Sequence, residues 1–147
     1  VSKKIVLGSD HGGFKLKEII KKYLEKNGHI ITDVGVYNED SVDYPDIANR
    51  ACNEFKSRNY DFGILFCGTA LGISIAANKI KGIRCAVVHD LLTAEMSKAH
   101  NNANFLAFGG RIEHNVTVEK MLEKFIATAF EGGRHEQRVN KISALEK

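Results

Sequence analysis

The sequence is short of several things, and each shortage excludes something. Tryptophan is absent, proline occurs once and cysteine three times in 147 residues. Cys52, Cys67 and Cys85 are odd in number and show no C-x-x-C spacing. That fits reduced thiols better than a disulfide framework or a zinc site. No apolar run approaches the roughly 18–20 residues needed to cross a bilayer, and Val1 to Asp10 is a strand-like stretch without a cleavage site. The expectation is a cytoplasmic protein that does not engage a membrane. Neither sign of charge dominates: 21 Lys/Arg stand against 18 Asp/Glu, scattered to a formal +3. Without a basic block, nucleic acid is not an expected partner, and any bound anion is small. The six histidines lack H-x-H or H-E-x-x-H spacing, so neither a metal nor any other cofactor is expected.

What is present is an ordinary globular composition, 44% hydrophobic and 27% charged, of a size that suits one domain spanning residues 1–147. No repeat, linker or low-complexity tract interrupts it. Apolar runs at Lys4 to Gly8, His29 to Val34, Phe62 to Cys67, Arg84 to Val88 and Phe105 to Phe108 mostly lack polar alternation, as strands covered on both faces do. Between them lie amphipathic stretches. The first carries Leu16, Ile20, Tyr23 and Leu24 on one face and stops at Gly28; another begins near Pro45. Val118, Leu122, Phe125, Ile126 and Ala129 recur at helical spacing, Gly132-Gly133 breaks the pattern, and a last short helix is expected over Arg134 to Leu145. The fold class this predicts is α/β: a Rossmann-like three-layer α/β/α sandwich with a five-stranded parallel sheet and an extra C-terminal helix. Ligands in such sheets bind at the carboxyl ends of the strands, near the topological switch point.

Polar residues just after strands therefore carry the candidate chemistry. The first strand exits into Gly8-Ser9-Asp10-His11-Gly12-Gly13, an acid and an imidazole on a glycine turn that opens a helix. The spacing is not G-x-G-x-x-G, so a dinucleotide fingerprint is poorly met. The third strand exits into Cys67-Gly68-Thr69-Ala70-Leu71-Gly72-Ile73-Ser74, a thiol at the start of a small-residue loop whose backbone N–H groups can hold an oxyanion. A positive helix end there would favour a thiolate; the competing reading is a buried, inert cysteine. A thiol phosphatase of the C-x5-R type would need an arginine where Ile73 stands. Cys52 and Cys85 lie among apolar neighbours and read as packing. His89-Asp90 is a weaker candidate, equally a polar turn. His100-Asn101-Asn102-Ala103-Asn104 offers an imidazole able to act as acid or base, with a helix-capping cluster as the alternative. Gly109-Gly110-Arg111 follows the fifth strand. Arg134 and Arg138, four apart on the last helix, share a face that can grip a phosphate dianion or simply face solvent.

In order along the chain, the Ser-Asp-His-Gly-Gly turn, Asp43-Tyr44-Pro45, Cys67-Gly68-Thr69, Gly72 to Lys79, His100-Asn101, Leu106-Ala107-Phe108-Gly109 and Gly132-Gly133-Arg134-His135 resemble the type B ribose-5-phosphate isomerases. The resemblance covers nearly the whole chain. It implies interconversion of ribose 5-phosphate and ribulose 5-phosphate through an enediolate, in the non-oxidative pentose phosphate pathway, without a cofactor. It implies Cys67 as the base moving a proton between C2 and C1, Thr69 beside the thiol, and backbone N–H groups from Gly68 through Ala70 and Leu71 to Gly72 as an oxyanion hole. By the same resemblance His100 opens the furanose ring, Asp10 and Asn101 hold hydroxyls or the ring oxygen, and Tyr44 lines the site. His11, Arg111, Arg134 and Arg138 would surround the phosphate. The C-terminal arginines reach across a two-fold interface in that family, so a homodimer is the minimum, with a tetramer left open. Family members also act on allose and galactose phosphates, so an isomerase of a hexose 6-phosphate or a free aldose is the near alternative, and a non-catalytic sugar-phosphate binder the distant one. Relatives that use a glutamate as base carry it where Ile73 stands, which leaves the role to Cys67. The family loop usually has glycine at the position of Ala70; if that residue needs φ > 0, alanine carries strain of roughly 1 kcal/mol, and its methyl would narrow the anion pocket.

Overall fold

A computed structural model of the chain describes residues 1–146. Five strands and six helices follow in the order β1 (Lys4–Ser9), α1 (Phe14–Lys26), β2 (Ile30–Asp33), α2 (Tyr44–Ser57), β3 (Phe62–Cys67), α3 (Leu71–Ala77), β4 (Cys85–Val87), α4 (Leu91–Ala99), β5 (Phe105–Gly109), α5 (Val118–Ala127) and α6 (Arg134–Ser143). All strand pairs are parallel, in the order β2-β1-β3-β5-β4. The chain runs outward from β1 to β2 and then crosses to β3 on the other side of β1, so the topological switch lies between β1 and β3.

Alternate residues of each central strand feed two separate cores, which is why the strands read as unbroken apolar runs. Ile5, Leu7, Ile64, Phe66, Leu106 and Phe108 pack under α1, α4 and α5. Val6, Leu65, Cys67, Phe105 and Ala107 pack under α2 and α3. The sandwich is therefore α1/α4/α5, sheet, α2/α3, with α6 outside it.

Local sequence explains the element ends. Gly28, at φ +85°, reverses the chain after α1, and His29 N–H returns to the Leu24 carbonyl at 3.1 Å. Pro45 sits in the first turn of α2. Asp90 caps α4 by accepting Thr93 N–H at 2.7 Å, with Thr93 reciprocating; this accounts for the His89-Asp90 turn as a helix start. Two boundaries differ from the periodicity. β4 is only Cys85–Val87, because the Arg84 N–H bonds the Asn104 side chain at 2.8 Å, and it is an edge strand, half-covered rather than buried. α5 ends at Ala127, where Thr128 turns extended.

Candidate active site

Three strand ends meet at the C-terminal edge of the sheet, on both sides of the switch point. Cys67 is the last residue of β3, 4% exposed, with its side chain in the core beneath α2 and α3. Its carbonyl accepts Gly110 N–H at 2.8 Å, and the next carbonyl, of Gly68, accepts Arg111 N–H at 2.9 Å. The exits of β3 and β5 are thus laced together by backbone. On the other side, Asp10 N–H donates to the Phe66 carbonyl at 3.1 Å, and the buried Asp10 carboxylate accepts Gly13 N–H at 3.1 Å. Gly12 rests on Gly68: a methyl at Gly12 would stand 3.1 Å from the Gly68 nitrogen and 3.3 Å from Arg111 Cζ. Any side chain at Gly12 would push the two turns or the guanidinium apart by a few tenths of an ångström. The sequence-predicted residues Asp10, Cys67, Gly68 and Arg111 are therefore contiguous.

The surroundings follow from the same packing. His11 Nδ1 accepts Val42 N–H at 3.3 Å, which leaves Nε2 as the protonated, donating nitrogen of the neutral ring. Tyr44 lies across the first turn of α3, and a methyl at Gly72 would come within 2.6 Å of its ring. Thr69 is exposed and its hydroxyl accepts Leu71 N–H at 3.3 Å, one turn from the thiol. Ala70 does adopt the left-handed conformation, φ +72°, as N-cap of α3. Its methyl, however, is 1% exposed and packs in the core with Cys67 and Ile73. Ala70 therefore lines the loop through its backbone, and the expected narrowing of the anion pocket by the methyl is not what the packing produces. Burial pushes the Cys52 thiol up to about 12 and raises Cys85 as well, in keeping with packing roles.

His100, Asn101, Arg134 and Arg138 lie elsewhere. α4 starts at the C-terminal edge and runs back against the strands, so its C-cap His100 reaches the N-terminal edge, just before β5 begins at Phe105. One strand length, about 16 Å for six residues, separates the two edges. Within one chain His100 does not meet Cys67, and neither do the exposed Arg134 and Arg138 of α6. At that edge the His100 ring stacks on His135, centroids 3.9 Å apart and planes 10° from parallel. Glu131 Oε1 stands 3.6 Å from His100 Nε2 and 3.4 Å from His135 Nε2. These three groups offer metal-ligand atoms within 4.8 Å of one another, but nearly parallel stacked rings aim their lone pairs side by side instead of converging on one ion. A cleft of about 600 Å³ also opens here, between Lys79, Arg84, Asn101, Ile142 and Leu145. It lies away from Cys67.

Residues 5–142 match the family model described as Ribose/Galactose Isomerase. The chain belongs to that family. It is 41% identical over 144 residues to ribose-5-phosphate isomerase B of Escherichia coli, a match covering 98% of this chain and 97% of that one. Its fold superposes on ribose-5-phosphate isomerase B of Clostridium thermocellum with a TM-score of 0.93, at 45% identity and 97% coverage of both chains. The Mycoplasma genitalium enzyme, solved with bound ribulose 5-phosphate, gives 0.90 at 38% identity, covering 97% of this chain and 95% of that one. As a member of this isomerase family the chain is an enzyme. Nothing local in the sequence marks Glu131 as a partner of His135. Their i,i+4 spacing across Gly132-Gly133 was the available signal, hidden because the glycine pair marks a break and not a helix.

Proposed function

We propose that the chain interconverts ribose 5-phosphate and ribulose 5-phosphate with Cys67 as the base, at a site completed by a second copy of the chain. The observation that carries it is the junction of Cys67, Gly68, Gly12, Asp10 and Arg111 at the switch point, in a family whose members isomerise sugar phosphates.

In the forward direction the Cys67 thiolate removes the C2 proton of the open-chain aldose. The electron pair forms the C1=C2 bond, and negative charge collects on O1. Backbone N–H groups between Gly68 and Gly72 face that charge, with Thr69 beside them. The O2 proton passes to the negative O1, and the thiol returns its proton to C1 as C2=O2 forms. Arg111 and the Nε2–H of His11 hold the phosphate, Tyr44 closes one wall, and Asp10 accepts from a sugar hydroxyl. No redox partner is required, because both electrons stay on the sugar.

His100, Asn101, Arg134 and Arg138 are read as contributions to the site of the second copy. The opposite-edge placement supports this, as does the apolar rim around edge strand β4: Leu71 and Ile75 of α3 and Leu92 of α4 are 58%, 62% and 64% exposed. A two-fold pairing through this rim would cover them and present one chain's N-terminal edge to the other's thiol. A homodimer is the smallest assembly with complete sites. The cytoplasm, where thiols stay reduced, suits a catalytic Cys67.

The test is the Cys67→Ala enzyme. It should bind ribose 5-phosphate normally, lose turnover by about 10³-fold, and fail to exchange the C2 proton with deuterated solvent. Retained activity would remove Cys67 as base. A kcat/KM for allose 6-phosphate above that for ribose 5-phosphate would reassign the sugar.

A further inference from the structure

Glu131 and His135 belong to no role assigned above, yet they enclose the imidazole that opens the sugar ring. We propose that they are positioning residues for His100: the Glu131 carboxylate takes the Nε2–H of the imidazole, so that Nδ1 is the lone pair presented to the sugar. The inference rests on the ring-opening reading of His100.

The backbone brings the three together. Glu131 N–H donates to the Ala99 carbonyl at 2.9 Å, tying the α5–α6 link to the end of α4 one residue before His100. Gly132 and Gly133, at φ +71° and +56°, then reverse the chain, and His135 lands one turn after Glu131, its N–H bonded to the Gly132 carbonyl at 3.0 Å. The His135 side chain is 8% exposed, against 37% for His100 and 55% for Glu131. His135 is thus a fixed plate, His100 the accessible ring lying on it, and one carboxylate oxygen faces the same nitrogen of both. Distances of 3.4 and 3.6 Å close to hydrogen-bond length with a small torsion of exposed Glu131, as unliganded sites commonly require.

The chemistry needs this arrangement. In ring opening a base takes the proton of the anomeric O1–H, the C1–O4 bond breaks as C1=O1 forms, and the proton passes to O4. One imidazole nitrogen can do both if the other carries a proton held by an acceptor, as a buried carboxylate does for a catalytic histidine. The ring becomes cationic midway, and Glu131 balances that charge. Stacked beneath it, a second cation would oppose protonation of His100. Burial, with His100, Arg134 and Arg138 nearby, lowers the His135 pKa against the opposing pull of Glu131, which favours the neutral form of the plate.

The experiment separates ring opening from proton transfer. Ribose 5-phosphate arrives as a furanose, whereas 4-deoxyribose 5-phosphate has no hydroxyl able to close that ring and enters as the aldehyde. Glu131→Gln, at an exposed position that should not disturb folding, should lower kcat/KM for ribose 5-phosphate about 10- to 100-fold. For the 4-deoxy sugar it should change by less than about twofold. His135→Ala should show the same split. The proposal is overturned if Glu131→Gln leaves ribose 5-phosphate turnover intact, or weakens both substrates equally. His100→Asn serves as the reference: equal loss on both substrates there would locate the failure in the ring-opening assignment itself.

Discussion

The two edges of the sheet hold the two groups of proposed site residues by different means. At the C-terminal edge the groups are strand ends and tight turns, joined by backbone hydrogen bonds of 2.8, 2.9 and 3.1 Å between β1, β3 and β5, with Cys67 and Asp10 almost wholly buried. At the N-terminal edge they are side chains on a helix end and on α6, mostly exposed, and aligned by a ring stack and one carboxylate. Abstracting a carbon-bound proton demands a fixed base and fixed N–H donors, which a buried sheet edge supplies. The ring opening and phosphate capture proposed for the other edge tolerate looser groups.

The most drastic way to break this contrast is to inactivate each edge in a different subunit. Cys67→Ala and His100→Asn proteins should each be nearly inactive. Mixed under conditions of subunit exchange, they should recover about a quarter of wild-type activity, because half the dimers are mixed and each holds one intact site. No recovery, with exchange verified by mass, would place both groups in one subunit.

A second change loosens the tighter edge from behind. Lys17 is fully buried, with Nζ 2.8 and 2.7 Å from the two Asp33 carboxylate oxygens and bonded to the Val36 carbonyl. It anchors the segment after β2 that reaches His11 through Val42. Lys17→Met removes the closest cation from a carboxylate that then keeps only Lys21, at 3.3 Å, and the Gly35 N–H, at 2.9 Å. The expected cost is about 3 kcal/mol, or a Tm lower by about 10 °C, with KM raised more than kcat is lowered. An unchanged Tm would show that the ion pair is not what holds the segment.

The smallest change tightens the same edge. Ala70→Gly relieves the positive φ and should raise stability by up to about 1 kcal/mol, less whatever the lost methyl contributed to the core. Because that methyl faces away from the loop, the ratio of kcat/KM values for ribose and allose phosphates should not move. A shift in that ratio would return Ala70 to the substrate wall.

Much of the tighter edge was legible in the sequence because its groups fall directly after apolar runs, and chain order then dictates sheet position. Cys67 ends a strand and Asp10 and Arg111 come just after one, and parallel strands put such residues at one edge. His100 follows a helix, and nothing local says which edge a helix end reaches until the strand order is known. The Ala70 strain was legible from its place in a glycine loop, while the direction of its methyl was not, since that depends on how α3 docks on β3. Glu131 and His135 were hidden by the glycine pair between them, which reads as a break and folds as a turn.

By itself the sequence determined the α/β class, the sheet-edge placement of the thiol, the family and therefore the reaction, because hydrophobic period, turn residues and ordered motifs are local properties of the chain. Only the tertiary structure decided that the predicted residues fall at opposite edges of the sheet, and that a carboxylate and a second imidazole attend His100. Those are facts about which ends of which elements share an edge, and a chain acquires edges only when its strands have been ordered into a sheet.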